Sequence, residues 1–583
     1  MEPAPTSRWT WFALLALTLA ALGLRLWGIG YGVPVWEEPD PDIVGHVDQL
    51  RGDPVLARVT SPEQQYPHLI ARLASLAPPR PPASGEGAPQ DLNGHLRAAA
   101  WTHVQVRTLV AVLASLLVPL TFLIARRFAS AGWALFAAGL VATSLLHQHF
   151  AQQARPHGAA ATFFAWALLA NLRLAQRGGW REFAHAGLAS ALTIATLQSG
   201  VAVLLAGLAA TWIAVARGRA RWVQIALPIA LVAAALPLFY PYYFDGSAAV
   251  QDPARVVDEG ALRSGEHAIA LEEFNGRGFA VLAQSLWNYD PLLSVLALAA
   301  LVLAIARWRL RASSDGARVL LAFAAPYALV CGLYGLTYER FALPLLPVLA
   351  VLVAWSAERA LGALASVGAR RALAALLVAA LLFPSAVAGK LAWLRSQPDT
   401  LDRAAQWYVE SGARETLWVA PPLDLPLVRE SRGLQLRGRT PRALEGFTPW
   451  ASWQTLIDAQ APSLTRFDVR WLMPKLAQRA DPGAHLDELG PGLVLVERVV
   501  ERRDHAAMIA LRRALEARAQ CVATFSPDPD PQATELELFF QLSDHFNSDA
   551  HLLHPHFALR LLRARSIGRV LELWRLPGDS EAR

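Results

Sequence analysis

The chain contains 583 residues, of which 54% are hydrophobic and 17% are charged, and its formal net charge is +6. A soluble protein carries roughly 25% charged residues, so this composition excludes an ordinary soluble globular protein. Apolar runs of membrane-spanning length recur between residues 9 and 391, which predicts a polytopic α-helical membrane protein. The arginines lie in short clusters between these runs, so the positive charge indicates membrane topology and not nucleic-acid binding.

Two further features of the composition narrow the class of protein. Arg greatly outnumbers Lys, and Ala and Leu are abundant, which is typical of a GC-rich bacterial genome. The two cysteines, Cys331 and Cys521, are far apart, so the sequence predicts neither a disulfide nor a cysteine metal cluster. The first apolar run lacks a small-residue cleavage pattern and is predicted to be a retained span.

Eleven segments are predicted to cross the membrane. They are 9–28, 104–125, 131–148, 158–175, 184–199, 201–216, 222–240, 291–306, 319–336, 341–357 and 372–391. Arg-rich connections alternate with Arg-poor or acidic ones, so the positive-inside rule places the N-terminus in the cytoplasm. The odd number of spans then places the C-terminus outside.

Three polar regions therefore lie on the outer face. They are loop 29–103, loop 241–290 and everything from residue 392 to residue 583. Segments 416–420, 469–473, 493–497 and 569–574 are typical of buried strands, and 401–411 and 503–519 have helical spacing. We predict a membrane module over 1–391, followed by a periplasmic α/β domain over 392–583.

The first outer loop opens with an acidic stretch, Pro34 to Val44, that contains Glu37, Glu38, Asp40 and Asp42. Its three prolines prevent a simple continuation of the preceding helix. The acids suit either a divalent cation or a general base that activates an acceptor. The alternative is an ordinary polar loop. The stretch follows the first span, and Arg25 lies about one helical turn from the outer end of that span, where it is predicted to snorkel or to hold a lipid phosphate.

Three other motifs lie on the same outer face. Tyr66 to Leu69 reads either as the lining of a substrate groove, through Tyr66 and His68, or as a turn that starts an interfacial helix over 69–76. The stretch from His147 to His157 is rich in histidine but lacks an acid, which disfavours a transition-metal site and favours contact of Arg155 and His157 with an anionic headgroup. The alternative is a set of ordinary interfacial polar residues. The third motif runs from Tyr338 to Pro347, and its Arg340, on the same face as the acids, suits capture of a phosphate. A lone Arg at this position would instead be a snorkelling interfacial residue.

Taken together, these motifs resemble those of the C-type (GT-C) integral-membrane glycosyltransferases. The likeness is to the bacterial branch related to protein O-mannosyltransferases and lipid A aminoarabinose transferases. It is carried by Leu24-Arg25-Leu26 before the acidic loop, Gln65 to Leu69, Ala154 to His157 with Thr162 to Phe164, and Glu339 to Pro347. The resemblance covers roughly residues 1–391 and is only architectural beyond them.

The resemblance implies an inverting transfer of a sugar from a polyprenyl-phosphate donor to a lipid, glycan or protein acceptor on the periplasmic face of the bacterial inner membrane. It implies Asp40 as the base, with Glu38 second, and Arg340, Arg155 and Arg25 as ligands of the donor phosphate. Tyr66, His68, His157, Tyr338 and Glu339 would line the substrate groove. The chain has Glu37-Glu38 and Asp40-Pro41-Asp42 where the family has an Asp-Glu pair, which leaves open a Mg or Mn ion on Asp40 and Asp42.

Two alternatives from other classes remain open at this point. A transporter or flippase of a lipid-linked or anionic substrate would show inverted repeats and charged residues near the middle of the membrane, which the sequence does not display. A non-catalytic membrane scaffold would use the C-terminal domain to bind a partner, and its acids would be incidental.

Overall fold

The structure is a computed structural model that describes most of the chain. The described residues are 7–36, 42–52, 66–241, 261–264, 267–308, 314–420, 423–435, 448–457, 464–472, 482–498, 506–528 and 557–577. The acidic positions Glu37, Glu38 and Asp40 lie outside these residues.

Helices dominate the first two thirds of the chain. They are α1 Arg8–Leu26, α2 Asp42–Arg51, α3 Leu69–Ser75, α4 Leu92–Ser115, α5 Leu117–Ala125, α6 Ala131–Ala142, α7 Leu145–Ala151, α8 His157–Arg177, α9 Trp180–Thr196, α10 Val203–Ala216, α11 Ala226–Phe239, α12 Arg277–Tyr289, α13 Pro291–Trp308, α14 Asp315–Leu333, α15 Leu346–Gly362, α16 Val367–Ala380 and α17 Leu382–Arg395. Short 3₁₀ helices cover Gln198–Ala202, Trp222–Ile225, Leu271–Glu273 and Glu339–Leu345, and strands β1 Ala261–Ser264 and β2 His267–Ala270 form an antiparallel pair.

Each of the eleven predicted spans falls on a helix or on consecutive helices. Within the described ranges, eight helical segments are long and apolar enough to cross a membrane, and a ninth is the pair α6 and α7, which bends by 54° at its break. The two remaining predicted spans correspond to α9, of 17 residues, and to the shorter apolar part of α13, Pro291–Ile305. The predicted fold class, a polytopic helical membrane protein with a C-terminal α/β domain, is confirmed.

The helix α4 begins earlier than its predicted span. The apolar pattern predicts a start near residue 104, whereas the helix starts at Leu92. The side chain of Asp91 accepts a hydrogen bond of 2.8 Å from the backbone N–H of Gly94 and so caps the helix. A capped polar extension continues the helix beyond the apolar segment, so hydropathy alone does not reveal it.

The C-terminal region forms the predicted α/β domain. Its elements are α18 Thr400–Glu410, β3 Leu417–Val419, β4 Val428–Arg429, α19 Ser431–Gln435, α20 Pro449–Gln454, β5 Arg466–Phe467, β6 Val469–Trp471, α21 Pro482–Leu489, β7 Gly492–Glu497, α22 Ala506–Arg518, β8 Gln520–Phe525, α23 Phe557–Arg563 and β9 Leu571–Leu576. The main sheet has the order β6-β3-β7-β9-β8, in which β3 is parallel to β6 and β7 and β9 is antiparallel to β7 and β8. A second, small parallel pair joins β4 to β5.

Side chains on the central strand alternate between two cores, as the twofold period of a strand requires. Leu493 and Leu495 of β7 join the large core that continues into the membrane module. Val494 and Val496 join a smaller core with α21 and α22. One face of the sheet is therefore packed toward the membrane module, which brings the C-terminal domain close to the outer ends of the helices.

Candidate functional site

A buried polar segment lies where the chain breaks between α6 and α8. The side chains of His147, Gln148, His149, Gln152, Gln153, Arg155 and His157 are each at most 3% exposed. Polar groups buried to this extent need partners, which distinguishes this segment from an ordinary interfacial loop. The histidine-rich motif of the sequence therefore belongs to the interior of the protein.

Asp290 stabilises the break from the side of α13. Its carboxylate accepts hydrogen bonds from Ser144 Oγ at 2.6 Å and from the backbone N–H of Leu145 at 2.8 Å, at the start of α7. Burial raises the pKa of Asp290 to about 6, while the hydrogen bonds from Ser144 and from the N–H groups of Leu145 and Leu146 oppose this rise. The sequence analysis did not identify Asp290, because its partners are about 145 residues away.

Several of the predicted site residues meet around His157, the first residue of α8. The rings of His157 and Tyr66 are 5.7 Å apart, edge to face. The positive charges of Arg340 and Arg155 both act on the His157 imidazole, and the guanidinium of Arg340 lies 4.1 Å from the ring of Tyr338. We call Tyr66, Arg155, His157, Tyr338 and Arg340 the outer cluster. It joins three motifs that are separated by up to 274 positions (340 − 66).

The backbone around the outer cluster is closely packed. A Cβ atom at Gly158 would lie 2.9 Å from Ala151 Cα, so the start of α8 can approach the end of α7 only with glycine here. Arg155 is 1% exposed and precedes the first turn of α8, where the N–H groups of a helix favour an anion. Two guanidinium groups beside a helix start, flanked by aromatic rings, make a chemically suitable place for a phosphate.

Glu339 lies between Tyr338 and Arg340 in the sequence. It is fully buried in the 3₁₀ helix Glu339–Leu345, and its charge acts on Tyr289 at the end of α12. The ring of Tyr289 is in turn 5.7 Å from that of His149. Tyr289 therefore lies near both Glu339 and the histidine-rich segment.

Arg25 is fully buried between α1 and the break. Its guanidinium donates to the carbonyls of Ala21 at 2.9 Å, Val141 at 3.3 Å and Ala142 at 3.4 Å, and Nη2 lies 2.7 Å from His147 Nδ1. These contacts join α1 to the end of α6 and the start of α7. The predicted role of Arg25 as a phosphate ligand remains a prediction, and the described contacts give it a clear role in holding the break.

A second group of buried residues, which the sequence analysis missed, surrounds Tyr31. Arg395, at the end of α17, lies 4.0 Å from the Tyr31 ring and donates to Gln152 Oε1 at 2.6 Å. Arg107 of α4 lies 4.4 Å from the same ring and donates to the carbonyl of Tyr31 at 2.8 Å. The only sequence signal for Arg395 was its position just beyond the last apolar run.

The acidic stretch is described only at its two ends. Trp36 is 6% exposed, and Ile43 and Val44 of α2 are 3% and 0% exposed. Glu38 and Asp40, the predicted bases, lie outside the described residues, and so does the side chain of Asp42. Their roles remain predictions.

His68 pairs with His46 of α2. The two rings are 4.0 Å apart, and the backbone N–H of His68 donates to the carbonyl of Phe239 at 3.0 Å. Burial, followed by the charges of His46 and Arg72, lowers the pKa of His68 to about 3. A neutral His68 is therefore part of the packing between α2 and α3, beside Tyr66.

The side chains predicted to bind a Mg or Mn ion, those of Asp40 and Asp42, lie outside the part of the chain that the structure describes. Among the residues that the structure describes, no group of three His, Cys, Asp or Glu side chains converges as a metal site. His46 and His68 offer imidazole nitrogen, whereas Mg and Mn prefer oxygen ligands. The cation on Asp40 and Asp42 therefore remains a prediction, and we derive no step through it.

Comparisons with known proteins give structural likeness only. No protein-family model matches the sequence, and no curated protein matches it. The chain is similar to the apo oligosaccharyltransferase of Archaeoglobus fulgidus, with 14% identity and a TM-score of 0.45 over 90% of this chain and 74% of that chain. It is similar to ArnT from Cupriavidus metallidurans bound to undecaprenyl phosphate, with 11% identity and a TM-score of 0.42 over 89% and 97% of the two chains. A third match, covering 42% of this chain and 36% of the other, is the S. cerevisiae protein O-mannosyltransferase Pmt1-Pmt2 complex bound to the sugar donor, with 15% identity and a TM-score of 0.31.

The similar structures include transferases of the kind that the sequence resembles. These likenesses concern the fold. At such identities and TM-scores they do not establish the activity, donor or acceptor of this chain, which depend on the site residues.

Proposed function

We propose that this protein is a membrane glycosyltransferase that moves a sugar from a polyprenyl-phosphate donor to an acceptor. The observation that supports this most strongly is that the charges of Arg155 and Arg340 both act on His157, whose ring lies against that of Tyr66, while Arg340 lies over the ring of Tyr338. Two guanidinium groups match the charge of a phosphate, and aromatic rings suit the apolar face of a sugar.

In the proposed reaction, an acceptor hydroxyl or amine attacks the anomeric carbon of the donor in line. The bond between that carbon and the phosphate oxygen breaks, the configuration inverts, and polyprenyl phosphate leaves as an anion. Arg155 and Arg340 stabilise the negative charge that develops on the leaving group. The acceptor proton passes to a carboxylate, for which Asp40 is the first candidate and Glu38 the second.

The proposed face of the membrane is the periplasmic one. The pairs Arg126-Arg127 and Arg370-Arg371 fall on connections opposite to the outer cluster, as the positive-inside rule requires for a cytoplasmic N-terminus. With this orientation the C-terminal domain is periplasmic, and the protein is a multi-pass protein of the bacterial inner membrane. The acceptor class is a lipid, a glycan or a protein.

A flippase of a lipid-linked substrate is the second candidate, because the span formed by α6 and α7 is broken and transporters often use broken helices. The break contacts Arg25, which lies in the last turn of α1 and therefore near one end of the span that α1 forms. Transport sites of this kind lie near the middle of the membrane, so the position of the break favours a surface reaction.

The test separates donor binding from transfer. Binding of undecaprenyl phosphate to the purified full-length protein is measured by native mass spectrometry, and transfer is measured in envelope membranes with a panel of undecaprenyl-phosphate hexoses and pentoses. Arg340→Gln and Arg155→Gln should each weaken binding and reduce transfer by about 10²- to 10³-fold, as loss of one charge-stabilising donor does. Arg217→Gln, at an exposed ion pair with Asp315, is the matched control and should change neither.

Unchanged binding and transfer in both Arg155→Gln and Arg340→Gln would contradict the proposed phosphate site. Movement of the intact lipid-linked sugar across proteoliposomes, without any sugar transfer from the panel, would support the flippase instead.

A further inference from the structure

The connector between the last membrane helix and the C-terminal domain, residues 395–399, has a buried charged side chain at each end. Arg395 is 2% exposed and Asp399 is 3% exposed. Both side chains reach the first outer segment, residues 27–36. We propose that this connector is a positioning device, which holds the first outer segment against the loop that carries Arg155 and makes that arrangement depend on docking of the C-terminal domain.

Arg395 joins the first outer segment to the histidine-rich segment. Its guanidinium lies 4.0 Å from the ring of Tyr31, donates to Gln152 at 2.6 Å and lies 2.8 Å from His149 Nδ1. His149 is bonded at its other nitrogen to Gln153, at 3.0 Å, two residues before Arg155. A single buried side chain thus ties the Tyr31 ring to the chain that leads into the outer cluster.

Gly28 allows this close approach. Its φ is +74°, and a Cβ atom there would lie 2.8 Å from the backbone carbon of Arg395. Only glycine meets both requirements without strain. The first outer segment is therefore seated directly on the backbone of the connector.

Asp399 joins the same segment to the C-terminal domain. Its Oδ2 accepts a hydrogen bond of 2.8 Å from the indole N–H of Trp36. Its Oδ1 accepts from the backbone N–H groups of Leu401 at 2.7 Å and Asp402 at 2.9 Å, which caps α18. The two oxygens of one carboxylate thus couple the start of the C-terminal domain to the residue that precedes the acidic stretch.

Other parts of the C-terminal domain hold the same segment. The backbone N–H of Trp450 in α20 donates to the carbonyl of Pro34 at 3.0 Å, and the guanidinium of Arg569 lies 5.5 Å from the Trp36 ring. Trp450 and Trp453 are 0% and 1% exposed, and Trp453 donates to His95 of α4 at 3.2 Å. The domain is packed into the membrane module, so removal of its contacts should loosen the segment.

For catalysis, this inference rests on the proposed function. Glu38 and Asp40 follow Trp36 by two and four residues, so at roughly 3.6 Å per residue their Cα atoms stay within about 7 and 14 Å of the Trp36 Cα. Tethering Trp36 therefore limits where either base can be. Tethering is a positioning role, because neither Arg395 nor Asp399 needs to touch the substrate.

The experiment removes the Trp36–Asp399 hydrogen bond from each side. Trp36→Phe keeps an aromatic ring and deletes the N–H. Asp399→Asn keeps an oxygen that can cap α18 and puts an amide donor in reach of the indole N–H. Trp27→Phe is the matched control, because the Trp27 side chain is 47% exposed on the same segment.

Both variants should speed hydrogen exchange of the backbone amides in 27–36 by at least about tenfold, with α8 unchanged. The effects of Trp36→Phe and Asp399→Asn should be non-additive in the double variant, because both delete one bond. With the first panel donor that supports transfer, kcat should fall by about 10- to 100-fold while KM for the donor changes by less than about twofold. Wild-type exchange in both variants, or fully additive effects, would overturn the proposal.

The exchange measurement needs no transfer activity, so it stands apart from the proposed reaction. If neither Asp40 nor Glu38 proves necessary for transfer but exchange in 27–36 still responds to both variants, the coupling holds and the base assignment fails. If exchange does not respond while Asp40→Ala abolishes transfer, the positioning role fails and the reaction stands.

Discussion

Ser144 Oγ donates a hydrogen bond of 2.6 Å to Asp290 Oδ2, joining two residues that are 146 positions apart in the sequence. Asp290 also accepts a hydrogen bond from the backbone N–H of Leu145, so its carboxylate caps the short helix α7 from outside that segment. These two bonds therefore set the path of the chain between α6 and the outer cluster, and they involve a carboxyl group whose ionisation changes in an accessible pH range.

The first prediction concerns the pH dependence of stability. The folded pKa of Asp290 is about 6, above its ordinary value of 3.8. The folded state therefore holds the proton more tightly, and the stability contributed by the protonated form is complete below about pH 3.8 and is lost as the pH rises through 6. Ionisation of Asp290 therefore lowers the free energy of unfolding by about 3 kcal/mol between these two pH values.

Asp290→Asn removes the ionisation and keeps an oxygen for Leu145 and an amide that can donate to Ser144. We expect this variant to keep its thermal unfolding temperature in detergent between pH 5 and 8 better than the wild type does. Ser144→Ala should lower that temperature across the range, because it deletes the 2.6 Å bond. An identical pH profile for Asp290→Asn and the wild type would show that Asp290 does not titrate in this window.

His68 predicts the opposite pH dependence. Its folded pKa, about 3, lies below its ordinary value of 6.5, so the folded state excludes the proton. The stability that this contributes is present above about pH 6.5 and is lost as the pH falls toward 3. His68→Gln should flatten the acid side of the unfolding profile, whereas Asp290→Asn flattens the neutral side. A wild-type acid profile in His68→Gln would place the acid sensitivity elsewhere.

Two neighbouring glycines offer a matched test of the first outer segment. Gly28 has φ +74° and its Cβ would collide with the backbone of Arg395, whereas a Cβ at Gly30 meets nothing within 4 Å. Gly28→Ala should destabilise the protein by at least about 1–2 kcal/mol, because a non-glycine residue is strained there even without the collision. Gly30→Ala should have little effect. Chemical denaturation of the two variants side by side gives the comparison, and equal stabilities would mean that the segment is not seated on the connector.

The base assignment is tested by separate replacement of Asp40 and Glu38. Asp40→Ala should reduce transfer by about 10²- to 10⁴-fold, the contribution of a general base, and should leave undecaprenyl phosphate binding unchanged. Glu38→Ala should have the smaller effect. Loss of transfer only in Glu38→Ala would move the base two residues back, and full activity in both variants would remove the acidic base from the mechanism.

Much of the fold was predictable because its signals are local. The length of an apolar run decides whether a segment can cross a bilayer, and all eleven predicted spans coincide with helices. The strands β3, β6, β7 and β9 were predicted from short apolar runs, whereas β8 was not, since much of it is exposed at the edge of the sheet. Polar extensions such as the start of α4 depend on a cap and escaped the apolar pattern.

The candidate site was predictable only in part. Arg155, His157 and Arg340 stood out because charged or polar residues beside apolar spans are unusual, and the structure brings them together. Arg395, Asp290 and Tyr31 did not stand out, because their partners come from distant helices. Arg25 stood out, yet the described contacts show it bound to carbonyls and to His147.

The acidic stretch illustrates what the sequence determines and what only the tertiary structure determines. By itself the sequence determined that Glu37 to Asp42 follow a membrane span and are interrupted by proline, since both properties belong to the covalent chain. Only the tertiary structure decided that Trp36, just before them, is held by Asp399 at the start of the C-terminal domain. A hydrogen bond between residues 363 positions apart depends on how the domains pack, and packing is a property of the folded chain as a whole.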